Sequence, residues 1–439
     1  MRKVRFIHTA DVHLGSLLHV GGEDLPSTIE QIVEEATLEG FRRICEIAVD
    51  KAVDFVVISG DLYDREARSV KAISFFVDRC LILEKANIDV VIIAGNHDPL
   101  REQPGLFNMP DNVKTLGGDA PEVYEVLDGE GKPLARIVGQ SYESSSQRSK
   151  VHLEYRVPDK DIWNIALLHT QLESGSSNYI PSSLKELRER DDIHYWALGH
   201  LHEHRILNDS YPLIAYPGIP QGRDFGELGI GGCILVELSP FHGGNLSFIP
   251  TASVIYKRVS VFIDEDPGDI PETLSDLEDR ICDYGDRILK ELKDDNDYPI
   301  TGYIVEWIIC GRGIIHDLIK EQEVESVDLL IKALRRRYED YNPFLWTNSI
   351  DIRTKSPINH DELMESSPVY MELEKVSQLL LEDEDTQDRL MGELGNIWSW
   401  DGDHEDVDEF RFHMDERTLE DMLDRAKQLI IEKLVEGRE

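Results

Sequence analysis

The sequence is poor in the features of secreted and membrane proteins. Its five cysteines are scattered, odd in number and without a CxxC pair, which argues against a disulfide framework or zinc knuckle and predicts a reducing cytoplasm. No run of about eighteen apolar residues is present, so we expect no transmembrane helix and no membrane association. The apolar run near the N-terminus is short and leads straight into polar side chains, which predicts a core strand and not a signal peptide.

Basic residues are also scarce. The chain carries 46 Lys and Arg against 86 Asp and Glu, a formal net charge of −40, of which −14 falls on residues 1–255 and −26 on residues 256–439. We interpret this charge as a solvated, salt-adapted surface. Taken alone it argues against a nucleic-acid ligand, because DNA-binding proteins usually carry basic patches. At roughly 1 M salt, where the Debye length is about 3 Å, most of the repulsion between protein and phosphates would vanish.

Five short apolar runs each end in side chains that can bind a metal ion. Runs of this length are typical of buried strands, and open α/β sheets bind ligands at the carboxyl ends of their strands. A lone histidine there is usually a capping or hydrogen-bonded residue, but five matching strand ends predict a site for two divalent ions such as Mn²⁺. The candidates are Asp11, His13, Asp61, Asn96, His97, Asp98, His169, His200 and His202.

The order of these motifs resembles the calcineurin-like metallophosphoesterase superfamily. Its DNA-repair exonucleases of the SbcD, YhaO and Mre types are similar at residues 11–15 (DVHLG), 60–64 (GDLYD), 95–98 (GNHD) and 197–202 (ALGHLH). The later run at residues 216–223 (YPGIPQGR) looks most like the YhaO branch. The resemblance covers roughly residues 4–240, and no motif of comparable strength follows residue 255.

The resemblance implies a set of metal ligands and a catalytic histidine. One ion would be held by Asp11, His13, Asp61 and His202, and the other by Asp61, Asn96, His169 and His200, with Asp61 shared. In the family, the residue that matches His97 stabilises the phosphate or protonates the leaving 3′ oxygen, and Asp98 is expected to orient it.

Three residues near these motifs keep open interpretations. Some Mre-type members carry a histidine three residues after the shared aspartate, where this chain has Asp64, so no role of that histidine transfers. Arg223 is equally suited to contact phosphate or to pair with local carboxylates. His8 is interpreted as a core residue or as an outer neighbour of the site.

The predicted fold is α/β, and the resemblance implies a two-sheet metallophosphoesterase sandwich flanked by helices over residues 1–250. The β-α-β-α-β order of its first part implies parallel strands with right-handed crossovers. Residues 255–355 are predicted to form a small α/β capping domain, and residues 356–439 an acidic helical region. That last region is expected either to pack on its own domain or to dock a partner helix.

The leading functional hypothesis is a Mn²⁺-dependent DNA exonuclease/endonuclease subunit of a double-strand-break repair complex. The resemblance implies DNA as substrate, an SMC-like coiled-coil ABC ATPase as partner, and a homodimer. One alternative is a phosphomonoesterase or cyclic-nucleotide phosphodiesterase that uses the same metal ions. Another is a scaffold without nuclease activity, although a scaffold would not need an intact set of ligands.

Overall fold

The computed structural model divides the chain into two compact units, Met1–Ser356 and Pro357–Glu439. It describes residues 1–22, 25–64, 69–102, 108–172, 180–240, 243–266, 268–294, 300–358 and scattered positions between 360 and 433. The strands of the first unit are β1 (Val4–Thr9), β2 (Phe55–Ser59), β3 (Asp89–Ile93), β4 (Val113–Thr115), β5 (Glu122–Leu127), β6 (Pro133–Gly139), β7 (Trp163–His169), β8 (Tyr195–Gly199), β9 (Arg205–Asn208), β10 (Leu213–Tyr216), β11 (Gly232–Ser239), β12 (Gly243–Pro250), β13 (Val254–Phe262), β14 (Gly302–Arg312) and β15 (Phe344–Lys355). Its helices are α1 (Ser27–Asp50), α2 (Val70–Lys85), α3 (Leu184–Arg188), α4 (Leu274–Asp294), α5 (Ile315–Glu321) and α6 (Glu323–Tyr338).

Two six-stranded sheets form the first part of this unit. The first has the order β12-β11-β1-β2-β3-β4, in which β1 to β4 are parallel and β11 and β12 antiparallel. The second has the order β5-β6-β7-β8-β10-β9, with a parallel centre and antiparallel edges. The α/β class and the two-sheet sandwich predicted from the sequence are therefore confirmed.

The central strands β1, β2 and β3 are mostly apolar, and nearly all of their residues are buried on both faces of the sheet. Phe6 and Val57 point into the core between the two sheets, where they meet residues such as Ile165 of β7. Their chain neighbours, Ile7 and Val56, point the other way and pack under α1 and α2. A parallel strand covered on both faces is expected to have such a largely apolar sequence.

Helix α1 packs on two different parts of the unit. Its C-terminal half lies on the first sheet, where Phe41 and Ile44 are fully buried. Its N-terminal half, through Ile29 and Val33, packs against the third sheet at Trp346. That sheet consists of the parallel strands β13-β14-β15, and helices α4 to α6 contribute to its core.

The second unit contains helices α7 (His360–Ser366) and α8 (Pro368–Glu382) and the short strands β16 (Trp398–Trp400) and β17 (Phe412–Met414). Ser367 caps α8, since its side chain accepts a hydrogen bond from the backbone N–H of Tyr370. A small cluster joins Leu363, Tyr370 and Ile431. Among the helices that the structure describes, none is both long enough and apolar enough to span a membrane.

Candidate metal centre

The seven candidate ligands come together at one edge of the sandwich. Strands β1, β2 and β3 are parallel neighbours in the first sheet, and β7 and β8 are parallel neighbours in the second. The carboxyl ends of parallel strands meet at one edge of a sheet. Six of the seven candidate ligands form two groups of three, and the donor atoms within each group lie within 4.8 Å of one another.

The first group consists of Asp11, His13 and His202. Nε2 of His13 lies 3.4 Å from Nε2 of His202. Nε2 of His202 in turn lies 3.8 Å from a carboxylate oxygen of Asp11. Two ring nitrogens and a carboxylate therefore converge, as ligands of one ion would.

The second group consists of Asp61, His169 and His200. Nε2 of His169 lies 3.2 Å from Oδ2 of Asp61 and 2.9 Å from the amide oxygen of Asn96. Asn96 therefore also reaches this group. The structure thus brings the seven residues of the predicted ligand set to one edge of the sandwich. The division of the ligands between two ions, the sharing of Asp61 and the ligation itself remain predictions.

The backbone at this edge is strained. Asp11, His13, Asp61 and His200 have φ angles of 50°, 45°, 51° and 100°, in a region that residues other than glycine seldom adopt. The loops after β1 and β2 brace each other, since the N–H groups of Asp11 and His13 donate to the carbonyls of Gly60 and Asp61. Such strain persists only when the surroundings impose it, and it concentrates at functional sites.

Two glycines let the candidate ligands approach the backbone closely. A Cβ atom at Gly95 would lie 2.2 Å from Oδ1 of Asp61, and one at Gly60 would lie 2.3 Å from Nδ1 of His169. Gly60 also has a φ of 96°. Any larger residue at either position would displace a ligand, which is why glycine occurs here.

The electrostatics of the cluster fit a bound cation. Burial raises the pKa of Asp11 despite the nearby His169 and His202. Burial also opposes ionisation of Asp61, but His169 and His13 outweigh it and hold the pKa of Asp61 well below its usual range. Two buried carboxylates beside imidazole and amide donors form a set that suits a divalent metal ion.

Three of the candidate histidine ligands are oriented by hydrogen-bond acceptors that face their Nδ1 atoms. Nδ1 of His13 lies 2.8 Å from Oδ1 of Asp64, and Nδ1 of His202 lies 2.6 Å from Oε1 of Glu227. Nδ1 of His169 lies 2.9 Å from the carbonyl oxygen of Ser59. Because these oxygens only accept, each Nδ1 must carry the proton, which leaves Nε2 as the metal-binding atom.

The roles of Asp64 and Glu227 at these rings are not evident from the sequence. The family pattern implies no role for Asp64, although it stands three residues after Asp61 in the same motif. Glu227 lies in no motif that the sequence analysis used, and only the folded structure places it at the ring of His202. No signal in the sequence would have found it.

The expected orientation of His97 by Asp98 must be corrected. Nδ1 of His97 lies 2.9 Å from Oδ1 of Asp64, so Asp64 provides the carboxylate at this ring. Asp98 instead accepts backbone N–H groups, from Gly95 at 2.8 Å and from Leu62 at 2.9 Å. Asp98 therefore joins the loop after β3 to the loop after β2, and burial together with Asp61 raises its pKa to about 6.

The two other open interpretations are also resolved by the contacts. His8 is a core residue, with Nδ1 at 2.8 Å from the hydroxyl of Tyr195 and Nε2 at 3.1 Å from the carbonyl of Leu198. Burial lowers its pKa to about 3. Arg223 pairs with carboxylates, namely Asp64 and Glu227.

The donor groups of this site suit a divalent metal ion, and comparison with known proteins identifies the class of domain that carries them. Residues 4–204 match the family of calcineurin-like phosphoesterases. The chain therefore contains a calcineurin-like metallophosphoesterase domain, a hydrolase domain of a family that uses divalent metal ions.

Two relatives are similar to this chain beyond the match to the family. The chain is 28% identical over 360 residues to YhaO of Bacillus subtilis, named an uncharacterized metallophosphoesterase, and the match covers 81% of this chain and 83% of that one. It is 29% identical over 244 residues to the DNA double-strand break repair protein Mre11 of Archaeoglobus fulgidus, covering 51% of this chain and 52% of the relative. The chain thus spans about half the length of this Mre11.

A solved structure, that of TT1561 of Thermus thermophilus, is similar at 15% identity with a TM-score of 0.33. The similarity covers 56% of this chain and 99% of that one. A similarity this low supports no conclusion about function.

Proposed function

We propose that this chain is the nuclease subunit of a DNA double-strand-break repair complex, an exonuclease/endonuclease that uses two divalent ions, preferably Mn²⁺. The observation that carries the proposal is the pair of adjacent donor groups at one sheet edge, Asp11–His13–His202 and Asp61–His169–His200. The relationship to Mre11 proteins supports DNA as the substrate.

The proposed ligands divide as the two groups do. Asp11, His13 and His202 would hold one ion, and Asn96, His169 and His200 the other, with Asp61 shared. Two such ions, when bound, activate water and neutralise charge on the phosphate during an in-line displacement.

His97 is the residue best placed to move a proton. Its side chain is 47% exposed, so a substrate can reach it, whereas the ligands are largely buried. The hydrogen bond to Asp64 raises the pKa of His97 above its ordinary value, which favours the protonated form of the ring. His97 can therefore hold a proton for the leaving oxygen, a role that contributes about 10²–10⁴-fold to rate.

The location, the partners and the domain roles are parts of the same proposal. We place the protein in the cytoplasm as a homodimer, with residues 1–250 as the nuclease domain and residues 255–355 as a cap that presents DNA. Residues 356–439 would dock an SMC-like coiled-coil ABC ATPase. Exposed apolar side chains on α8, among them Val369 and Leu379, support a helical partner there.

The alternative function is hydrolysis of a small phosphomonoester or of a cyclic nucleotide. The same two donor groups would serve it, since a metal site alone does not select the organic part of a phosphoester. The large negative charge of the chain favours this alternative at low salt, because a polyanion repels DNA.

The deciding experiment compares the two substrate classes. End-labelled linear duplex and single-stranded DNA, and bis(p-nitrophenyl) phosphate, are incubated with the protein and Mn²⁺ at low and at multimolar salt. Asp61→Asn removes the shared carboxylate charge, and Asp89→Asn, at the opposite end of the neighbouring strand β3, is the matched control. We expect DNA shortening that needs Mn²⁺ and Asp61 but not Asp89. Intact DNA at both salt concentrations, with cleavage of the small diester, would replace the nuclease assignment by the alternative.

A further inference from the structure

Arg223 joins the two carboxylates that contact the candidate site from outside. One terminal nitrogen of its guanidinium donates to Oδ2 of Asp64 at 2.8 Å, and the other donates to Oε1 of Glu227 at 2.8 Å. The backbone N–H of Arg223 also donates to Glu227, at 2.8 Å. The arginine side chain is only 16% exposed, so both carboxylates are held by one largely buried, planar group.

These two carboxylates accept from three histidine rings. Oδ1 of Asp64 faces Nδ1 of His13 at 2.8 Å and Nδ1 of His97 at 2.9 Å. Glu227 faces Nδ1 of His202 at 2.6 Å. Arg223 is therefore one contact removed from two candidate ligands of the first group and from the candidate proton donor.

The backbone of Arg223 is itself fixed by the third sheet. The carbonyl of Arg223 accepts from the hydroxyl of Tyr256 on β13 at 2.8 Å and from the N–H of His19 at 2.7 Å. These hydrogen bonds fix the backbone position of Arg223. Its rigid, planar guanidinium then sets the distance between Asp64 and Glu227.

The cluster of His13, Asp64 and His97 also has the spacing of a cation site. The guanidinium of Arg223 lies 2.8 Å from Asp64, and its positive charge would oppose a further cation on the same carboxylate. The contacts therefore favour a hydrogen-bonded network here over a third metal ion.

We propose that Arg223 is a positioning residue. Acting through Asp64 and Glu227, it holds the rings of His13, His97 and His202 with Nδ1 as the donor, so that Nε2 is the atom offered to a metal ion or substrate. The catalytic purpose of this positioning rests on the proposed function, but the tautomers of the histidine rings can be measured without any nuclease activity.

The test compares Arg223→Gln and Arg223→Lys with the same changes at Arg190. Arg190 is a matched control because it is 18% exposed and forms a two-point pair with Asp192, with both distances 2.8 Å. Arg190 otherwise contacts backbone carbonyls and not the candidate ligands. Folding of each variant is followed by circular dichroism.

The first readout is the tautomer of each ring, from two-dimensional ¹⁵N NMR of the full-length protein labelled at histidine and freed of metal. We expect the rings of His13 and His202 to be uniformly protonated at Nδ1 in the natural protein. In Arg223→Gln at least one of them becomes a mixture of tautomers, while Arg223→Lys shows a smaller effect and the Arg190 variants show none.

The second readout is Mn²⁺ affinity by calorimetry. Loss of a direct hydrogen-bond partner of a metal-binding histidine typically weakens affinity about 10–100-fold. Arg223→Gln leaves those partners, Asp64 and Glu227, in place, so we expect a measurable loss of at most this size. Unchanged tautomers and unchanged Mn²⁺ affinity would overturn the proposal, as would equal effects in the Arg190 variants. If Arg223→Gln does not fold, Arg223→Lys and Glu227→Gln decide by the same criteria. Altered tautomers in a protein that never cleaves DNA would support the positioning role and reject the nuclease assignment.

Discussion

Replacing Gly95 by alanine tests whether the close packing around Asp61 matters for metal binding. The added Cβ atom would lie 2.2 Å from Oδ1 of Asp61 and 2.7 Å from its backbone nitrogen. A normal contact is above 3 Å, so the carboxylate must move by about 1 Å. Gly95 does not have a positive φ, and alanine therefore adds no backbone strain of that kind.

The size of the effect follows from that displacement. A misplacement of about 1 Å can cost about 10²-fold in rate, and the carboxylate that moves is the one proposed to bridge both ions. We expect Gly95→Ala to bind Mn²⁺ more weakly and to lose about 10²-fold in phosphodiester hydrolysis. Calorimetry with Mn²⁺ and single-turnover kinetics at saturating Mn²⁺ would separate the two losses.

Gly129→Ala is the matched control for this prediction. A Cβ atom at Gly129 would meet nothing within 4 Å, so the same chemical change should leave binding and turnover unaltered. If Gly95→Ala binds Mn²⁺ and cleaves as the natural protein does, the close approach of Gly95 to Asp61 has no part in the site and the reasoning fails.

Three further predictions concern the proton donor, the metal ions and the core histidine. His97→Asn should keep Mn²⁺ affinity in calorimetry but lose about 10²–10⁴-fold in single-turnover rate; loss of metal would contradict the assignment of His97 as a residue that is not a ligand. Chelation should abolish hydrolysis, and Mn²⁺ at about 100 times its Kd should restore it. The same Mn²⁺ concentration should add roughly 2.7 kcal/mol to the free energy of unfolding, measured by thermal unfolding. A stability that does not change with Mn²⁺ would argue against a resident ion. Because the pKa of His8 is lowered to about 3, only the unfolded chain binds its proton between pH 6.5 and 3, so stability should be complete above pH 6.5 and fall below it, by roughly 2 kcal/mol at pH 5. Urea unfolding of the natural protein and of His8→Gln would measure this, and equal slopes against pH in the two proteins would refute it.

The strands and their polar ends were readable from the sequence because both depend on local patterns. The first four residues of β2 (55–58) are apolar since both faces of the strand are buried, and Asp61 follows the strand at the edge where parallel strands place ligands. The same logic predicted the approach of His169 and His200 to that edge. Local patterns do not show which residues from distant parts of the chain will pack against a given turn.

His97 shows this limit in a single residue. Its neighbour Asp98 was the natural partner by sequence, yet the left-handed turn at Asp61 and the loop around Gly95 direct Asp98 to backbone N–H groups. Asp64, from the preceding strand end, fills the place beside the ring instead. Adjacency in the chain does not determine which side chains face each other once two loops are packed together.

By itself, therefore, the sequence determined the strand ends that carry candidate ligands, since burial and strand period act over a few residues. Its motifs also identified the class of domain, and with it the sandwich of sheets, through their resemblance to a known family. Only the tertiary structure decided which groups orient those ligands. Arg223 and Asp64 are 159 positions apart, and Glu227 meets His202 across 25 positions. Such contacts depend on how separate sheets and loops pack, which no short stretch of sequence encodes.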